Sequence, residues 1–146
     1  MKTIFSTQIR NISIAIAAVV MVFSVSSCSK KIPFSNSSVV PAAKGTVKVN
    51  KGKNGNYEIK IQLADLAKPD RLQPSRNVYV VWLTAPDNST KNIGQIETST
   101  SFFSNQHKSS FETLSPFKPV KVFITAEDNA NISYPMNEVV LSTRNF

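Results

Sequence analysis

The chain holds one histidine and one cysteine among its 146 residues, and that scarcity limits the chemistry it could do. A hydrolytic triad needs a nucleophile, a base and an orienting carboxylate. His107 could be drawn as the base for one of the many serines, with Asp87 or Glu112 behind it. No spacing supports that arrangement, and His107 lies in the polar loop pattern Ser104-Asn105-Gln106-His107-Lys108. One histidine and one cysteine exclude multi-histidine and cysteine-rich zinc sites within a single chain, and a lone cysteine forms no intramolecular disulfide. Glu127-Asp128-Asn129-Ala130-Asn131 offers oxygen ligands at alternate positions, as calcium loops do. It lacks the glycine and distal glutamate of an EF-hand and reads as a hairpin loop. The expectation is a protein without catalytic residues, metal or cofactor.

The setting of the cysteine is more specific. Lys2 and Arg10 flank a short polar opening, and the uncharged, mostly apolar run Ile12 to Val25 has the length of a signal-peptide core. A bilayer-spanning helix needs ~20 such residues. Val25-Ser26-Ser27-Cys28 follows at once and resembles the lipobox of bacterial lipoproteins: an aliphatic residue, two small residues, then the cysteine. The resemblance implies that the Cys28 sulfur takes a diacylglycerol and that a peptidase cuts ahead of it, with Ser26 and Ser27 small enough for the protease cleft. Acyl chains contribute ~0.8 kcal/mol per buried methylene, enough to hold a folded domain at a membrane without a spanning helix. Lipoprotein sorting depends on the next residues, here Ser29-Lys30-Lys31. With neither an aspartate after the cysteine nor an acidic cluster, the expected location is the periplasmic face of the outer membrane.

Three regions follow: residues 1–27 as a lipoprotein signal peptide, 28–44 as a lipidated N-terminus and flexible linker, and 45–146 as a folded domain. The stretch Ser29 to Lys44 is rich in Ser, Asn, Pro and Lys and shows no sustained period. As a flexible chain it would span ~22 Å. The 17 basic and 9 acidic side chains are unevenly spread, with Lys30, Lys31, Lys44, Lys48, Lys51, Lys53 and Lys60 set against Glu58 alone. Lysines beside the anchor form a candidate membrane-proximal basic patch (Lys30, Lys31, Lys44, Lys48, Lys51 and Lys53), each worth ~1 kcal/mol against an anionic surface. They equally suit a solvated strand edge that resists aggregation. Nucleic acid is not an expected partner, because the lysines are not interleaved with stacking aromatics.

Strand signals run from Gly45 onward. Tyr57, Ile59, Ile61 and Leu63 alternate with Glu58, Lys60 and Gln62, giving one dry and one wet face. Thr46 to Asn50 precedes this segment, and the turn Lys51-Gly52-Lys53-Asn54-Gly55-Asn56 predicts a hairpin. Val78-Tyr79-Val80-Val81-Trp82-Leu83 is apolar on both faces and reads as a central strand, with Trp82 in the core. Lys91 to Glu97, Ser110 to Leu114, Val120 to Glu127 and Val139 to Thr143 complete about seven short strands. With no helical period after the signal, the expected fold is all-β, an antiparallel sandwich of immunoglobulin-like type.

At these residues the domain resembles the extracytoplasmic C-terminal domain of the RskA family of anti-sigma factors. The matching pieces are Tyr79-Val80-Val81-Trp82-Leu83, Ile93-Gly94, Val122-Phe123-Ile124-Thr125-Ala126-Glu127 and Tyr134-Pro135 leading to Val139-Val140-Leu141-Ser142. The resemblance runs from Gly45 to the end, about 100 residues, but its motifs are mostly strand-core residues, which specify packing more than chemistry. The family joins its outer domain by a spanning helix to a cytoplasmic sigma-binding domain. With a cleavable signal and a lipid site in their place, neither is expected here, and the Asp128 to Ser133 loop lacks the family's glycines. What the resemblance implies is the fold and a sensing or binding role outside the cytoplasm.

Phe123 falls on the Lys121 and Thr125 side of its strand, where alternation predicts solvent. Phe123, with Phe102 and Phe103, is therefore a candidate interface, since exposed apolar patches mark contacts. The alternative is that a loop, such as the Phe102-Phe103 segment, folds over Phe123. Two functions remain open: a membrane-anchored module that binds another envelope protein, and a lipoprotein that holds a glycan or a small apolar molecule or acts structurally.

Overall fold

The computed structural model describes residues 31–96 and 108–146. Every strand expected from alternation is present. In chain order they are β2 (Lys44–Lys51), β3 (Tyr57–Ala64), β4 (Val78–Thr84), β5 (Thr90–Ile96), β6 (Lys108–Ser115), β7 (Lys121–Glu127) and β8 (Val139–Ser142), preceded by a short β1 (Lys31–Pro33). They form two antiparallel four-stranded sheets, ordered β1-β2-β3-β6 and β5-β4-β7-β8. The protein is an all-β sandwich. The hairpin predicted around Asn54-Gly55 joins β2 to β3, and Gly55 takes the positive φ of 84° that the turn requires.

Alternation explains which side chains meet between the sheets. Val47, Ile59, Ile61 and Leu63 project from one sheet onto Tyr79, Val81, Leu83, Val122, Ile124 and Leu141 of the other, all buried. Burying each such side chain is worth ~1.5–3 kcal/mol, so this layer holds the sheets together. Across it, the ring of Phe111 on β6 packs directly on Gly94 of β5, where an added Cβ would sit 2.8 Å from Cε2. Gly94 lies at a register shift opposite Val81 and Trp82 and has φ 135°, so the bulge both needs glycine and lets the aromatic ring approach.

One expectation is corrected. The reading of residues 28–44 as a flexible linker does not hold from Lys31 onward. Lys31–Pro33 pair with Lys48–Thr46, Phe34 bridges Thr143 of the opposite sheet, and Ser35 donates its N–H to the Ser142 carbonyl at 2.8 Å. Phe34, Val40 and Ala43 are buried in the main core. The chain therefore crosses from one sheet to the other along the open side of the sandwich and stitches them together. The folded domain begins well before Gly45.

Candidate functional site

The second sheet is apolar on its outer face as well. Val80, Trp82 and Phe123 form a small separate core there, with Val78 and Ile132 packed against it. Trp82 stacks on Phe123 with ring centroids 6.3 Å apart, and the Lys121 ammonium lies 5.9 Å from the Phe123 centroid. The indole N–H of Trp82 donates to Thr125 Oγ1 at 2.8 Å, so both buried polar groups are satisfied. Phe123 points to the outer face as alternation predicts, yet it is 8% exposed. The expectation of a solvent-facing Phe123 is thus corrected: the neighbouring Trp82 ring and the following loop cover it. Phe102 and Phe103, the other candidate interface residues, lie outside the described residues.

That loop, residues 128–138, is fixed at several points. The Asn92 side-chain amide donates to the carbonyls of Ala130 (2.8 Å) and Ile132 (2.9 Å). Glu127 is fully buried, and its carboxylate accepts the backbone N–H groups of Met136 (3.1 Å) and Asn137 (3.3 Å) and a short bond from the Asn137 amide. Arg76 pairs with Asp128 at 2.9 Å. A loop held this firmly nevertheless exposes large apolar side chains: Tyr134 is 65% and Met136 67% exposed, and Val139 beside them is also open. The side-chain oxygens of Glu127, Asp128 and Asn129 thus have protein partners: Met136 and Asn137 for Glu127, Arg76 for Asp128, and the N–H of Asn131 for Asn129 Oδ1. Among the described residues no group of three His, Cys, Asp or Glu side chains is placed to hold a metal ion.

The outer face of the first sheet is polar. Lys60 sits between Glu58 (3.0 Å) and Glu112 (2.9 Å), and Asn50 donates to Glu58 at 3.0 Å. The Asn50 hydrogen bond and the Lys60 ammonium hold the Glu58 carboxyl below its usual range, and Glu112 and Glu58 together raise Lys60. Glu112 is therefore engaged on a sheet face. Asp87 lies in the β4–β5 turn, where bonds from Ser89 lower its pKa. Both carboxylates drawn with His107 have structural partners, and His107 lies outside the described residues.

Strand register divides the remaining charges between the two ends of the sandwich. At one end lie the β2–β3 hairpin with Lys51 and Lys53, the β6–β7 connection with Phe117 and Lys118, and the β4–β5 turn. β1 runs away from that end, starting at Lys31 opposite Lys48, and Arg144–Phe146 line with Lys31–Phe34 a cleft of about 550 Å3. At the opposite end lie Lys44, Lys108, Glu127 and the start of β8. The proposed basic patch is thereby split. Lys51 and Lys53 lie at the hairpin end and Lys31, opposite Lys48, lies midway along β2, whereas Lys44 is at its far end, ~24 Å from Lys51 at 3.4 Å per residue. Lys118 and Lys91, distant in sequence, join the first group, and the Lys91 ammonium lies 5.2 Å from the centroid of Phe117.

Cys28, the lipobox residues Val25, Ser26 and Ser27, and Lys30 lie outside the described residues. No helix among the described residues is long and apolar enough to cross a membrane. In class, then, the chain is an antiparallel β-sandwich with one polar sheet face, one covered apolar sheet face and an exposed loop hydrogen-bonded to Glu127 and Asn92. No protein-family model matches the chain, and neither a curated protein nor a solved structure does.

Proposed function

We propose that this is a non-catalytic lipoprotein of the bacterial envelope, anchored through Cys28, whose sandwich binds another envelope protein. The observation that carries the binding role is the loop 128–138, because its backbone is fixed by Glu127 and Asn92 while Tyr134 and Met136 face solvent. A preformed surface with an aromatic and a methionine at its centre binds without ordering cost, and aromatic and methionine side chains are enriched at interfaces. The lipobox-like Val25-Ser26-Ser27-Cys28 supports the anchor, and the Ser29-Lys30-Lys31 sequence after it supports the periplasmic face of the outer membrane. The likeness of the strand motifs to RskA anti-sigma factors supports a sensing role.

The test is crosslinking in living cells, mild-detergent purification and mass spectrometry, with Cys28→Ala and Tyr134→Ala/Met136→Ala proteins alongside. A stoichiometric envelope protein captured by the wild type and lost in both variants is the expected result. If both variants retain it, the loop and the anchor are not the binding determinants. If the wild type captures none, the protein-binding reading fails and bound glycan or small apolar molecules become the object of the same purification.

A further inference from the structure

We propose that the hairpin end of the sandwich rests on an anionic lipid surface, with Phe117 and Leu114 at headgroup depth and Lys51, Lys53 and Lys118 against the phosphates. The inference deepens the anchored reading above and rests on it. Sequence and register together set the geometry. Only Ser29 and Lys30 separate Cys28 from Lys31, and three residue steps reach about 10 Å at full extension. Lys31 pairs with Lys48, three residues short of Lys51, and β1 runs from there towards Thr46, away from the hairpin, so the chain enters β1 from the hairpin side and an acyl group on Cys28 favours that end, rather than the loop 128–138, as the one next to the bilayer.

The surface presented there matches such a neighbour. Leu114 is 67% and Phe117 45% exposed, and Lys118 follows Phe117 directly. Of the carboxylates nearest this end, Glu58 and Glu112 are offset by Lys60, and Asp87, which keeps its charge in the β4–β5 turn, is outnumbered by Lys51, Lys53, Lys91 and Lys118. At the opposite end Asp65, Asp70, Asp128 and Glu138 offset Lys44, Lys68, Arg71, Arg76 and Lys108, so the net positive charge of the domain is concentrated towards the anchor. Basic groups ringed around one or two apolar side chains are what an anionic interface attracts, and a membrane-bound lipid makes the second contact intramolecular. The same orientation directs Tyr134 and Met136 away from the bilayer, towards a partner.

Depth-dependent fluorescence decides the matter. The full-length protein is reconstituted into vesicles of brominated phosphatidylcholine, alone or mixed with phosphatidylglycerol, as the Phe117→Trp and Tyr134→Trp variants. Native Trp82 is fully buried and serves as a constant background. The expected result is strong quenching of the Phe117→Trp emission in the anionic vesicles and none of the Tyr134→Trp emission. A Lys51→Gln/Lys53→Gln/Lys118→Gln protein, far-ultraviolet circular dichroism confirming its fold, should dock about a hundred-fold less, at about five-fold per lysine. Equal quenching at both ends, or quenching that ignores phosphatidylglycerol and the lysines, overturns the proposal. The mass of the Cys28 peptide reports the anchor separately. A free thiol there with Phe117→Trp still quenched sinks the lipoprotein reading and keeps the docking surface, whereas an acylated Cys28 without quenching does the reverse. Absence of any vesicle association overturns both.

Discussion

The indole N–H of Trp82 donates to Thr125 Oγ1 across the outer face of the second sheet, 43 residues apart in sequence. This bond makes a fully apolar strand compatible with a hydroxyl on its neighbour. Val80, Trp82 and Phe123 can then form a dry patch outside the main core, closed by Ile132 of the loop. The two cores share β4 and β7, so the outer patch couples the loop to the sandwich.

Phe123→Ser should therefore destabilise the fold by about 3 kcal/mol or more, since it removes a buried aromatic and leaves a hydroxyl among apolar neighbours. Thr125→Val keeps the shape but orphans the indole N–H, at a cost of about 1–3 kcal/mol. Urea denaturation measures both. A loss below ~0.5 kcal/mol for Phe123→Ser, the range of ordinary surface changes, would mean that the face is open and available to a partner.

Glu127 carries the loop. Glu127→Gln retains one acceptor oxygen for the Met136 and Asn137 amides but turns an N–H2 towards the Asn137 amide, so at least one bond is lost. The expected cost is about 1–3 kcal/mol. Hydrogen exchange at Met136 and Asn137 should speed up well before that of β4 or β7. If exchange accelerates uniformly over all strands, the loop is not a separately fixed element and the rigid-surface argument fails.

Much of this architecture is legible without coordinates because period-two alternation is a local signal. Tyr57 to Leu63 and Val120 to Glu127 show their buried faces residue by residue, and the doubly apolar Val78 to Leu83 already implies that both sides of its sheet are covered. What escapes is set by long-range contacts. Lys31–Pro33 is a three-residue edge strand in a lysine- and proline-containing stretch, held by Val47 and its neighbours, and Phe34 after it is held by Thr143 near the other end of the chain. The cover over Phe123 comes from a loop with no period, pinned by Asn92 to Ala130 across 38 residues. The lysines mislead for the same reason. Residues 30–60 look like one basic run, but β2 carries Lys44 and Lys51 to opposite ends, while turns bring Lys91 and Lys118 in from elsewhere.

Gly94 gives a sharp test of the contact between the sheets. Gly94→Ala places a methyl group 2.8 Å from Phe111 Cε2 at a backbone φ of 135°, which L-residues rarely adopt. Backbone strain and overpacking each cost about 1–3 kcal/mol. Pairing the change with Phe111→Leu should recover the packing part and leave the backbone part, which a double-mutant cycle reads directly. Strict additivity of the two changes would show that the ring does not press on this glycine.

Tyr79 supplies a pH dependence of known sign. Its hydroxyl donates to the Ala67 carbonyl at 2.9 Å from a fully buried ring, and burial, with the negative charge of Asp70 adding to it, pushes the phenol up to about 12 from its ordinary 10.0. Below pH 10 both folded and unfolded chains keep the proton, and the group adds no slope. Between pH 10 and 12 the unfolded chain has lost the proton while the folded one retains it, so stability falls as pH rises. Across two units the loss is ~2–3 kcal/mol at ~1.4 kcal/mol per unit. Tyr79→Phe lacks the titrating group but also loses a hydrogen bond worth about 1 kcal/mol, and it should be the weaker protein at neutral pH. Urea midpoints measured from pH 8 to 12 should therefore cross, with Tyr79→Phe the more stable above about pH 11. Every other ionisable group is common to both proteins and cancels in the difference. Curves that stay parallel would show that the phenol ionises equally easily folded and unfolded, and that the Ala67 bond does not hold its proton.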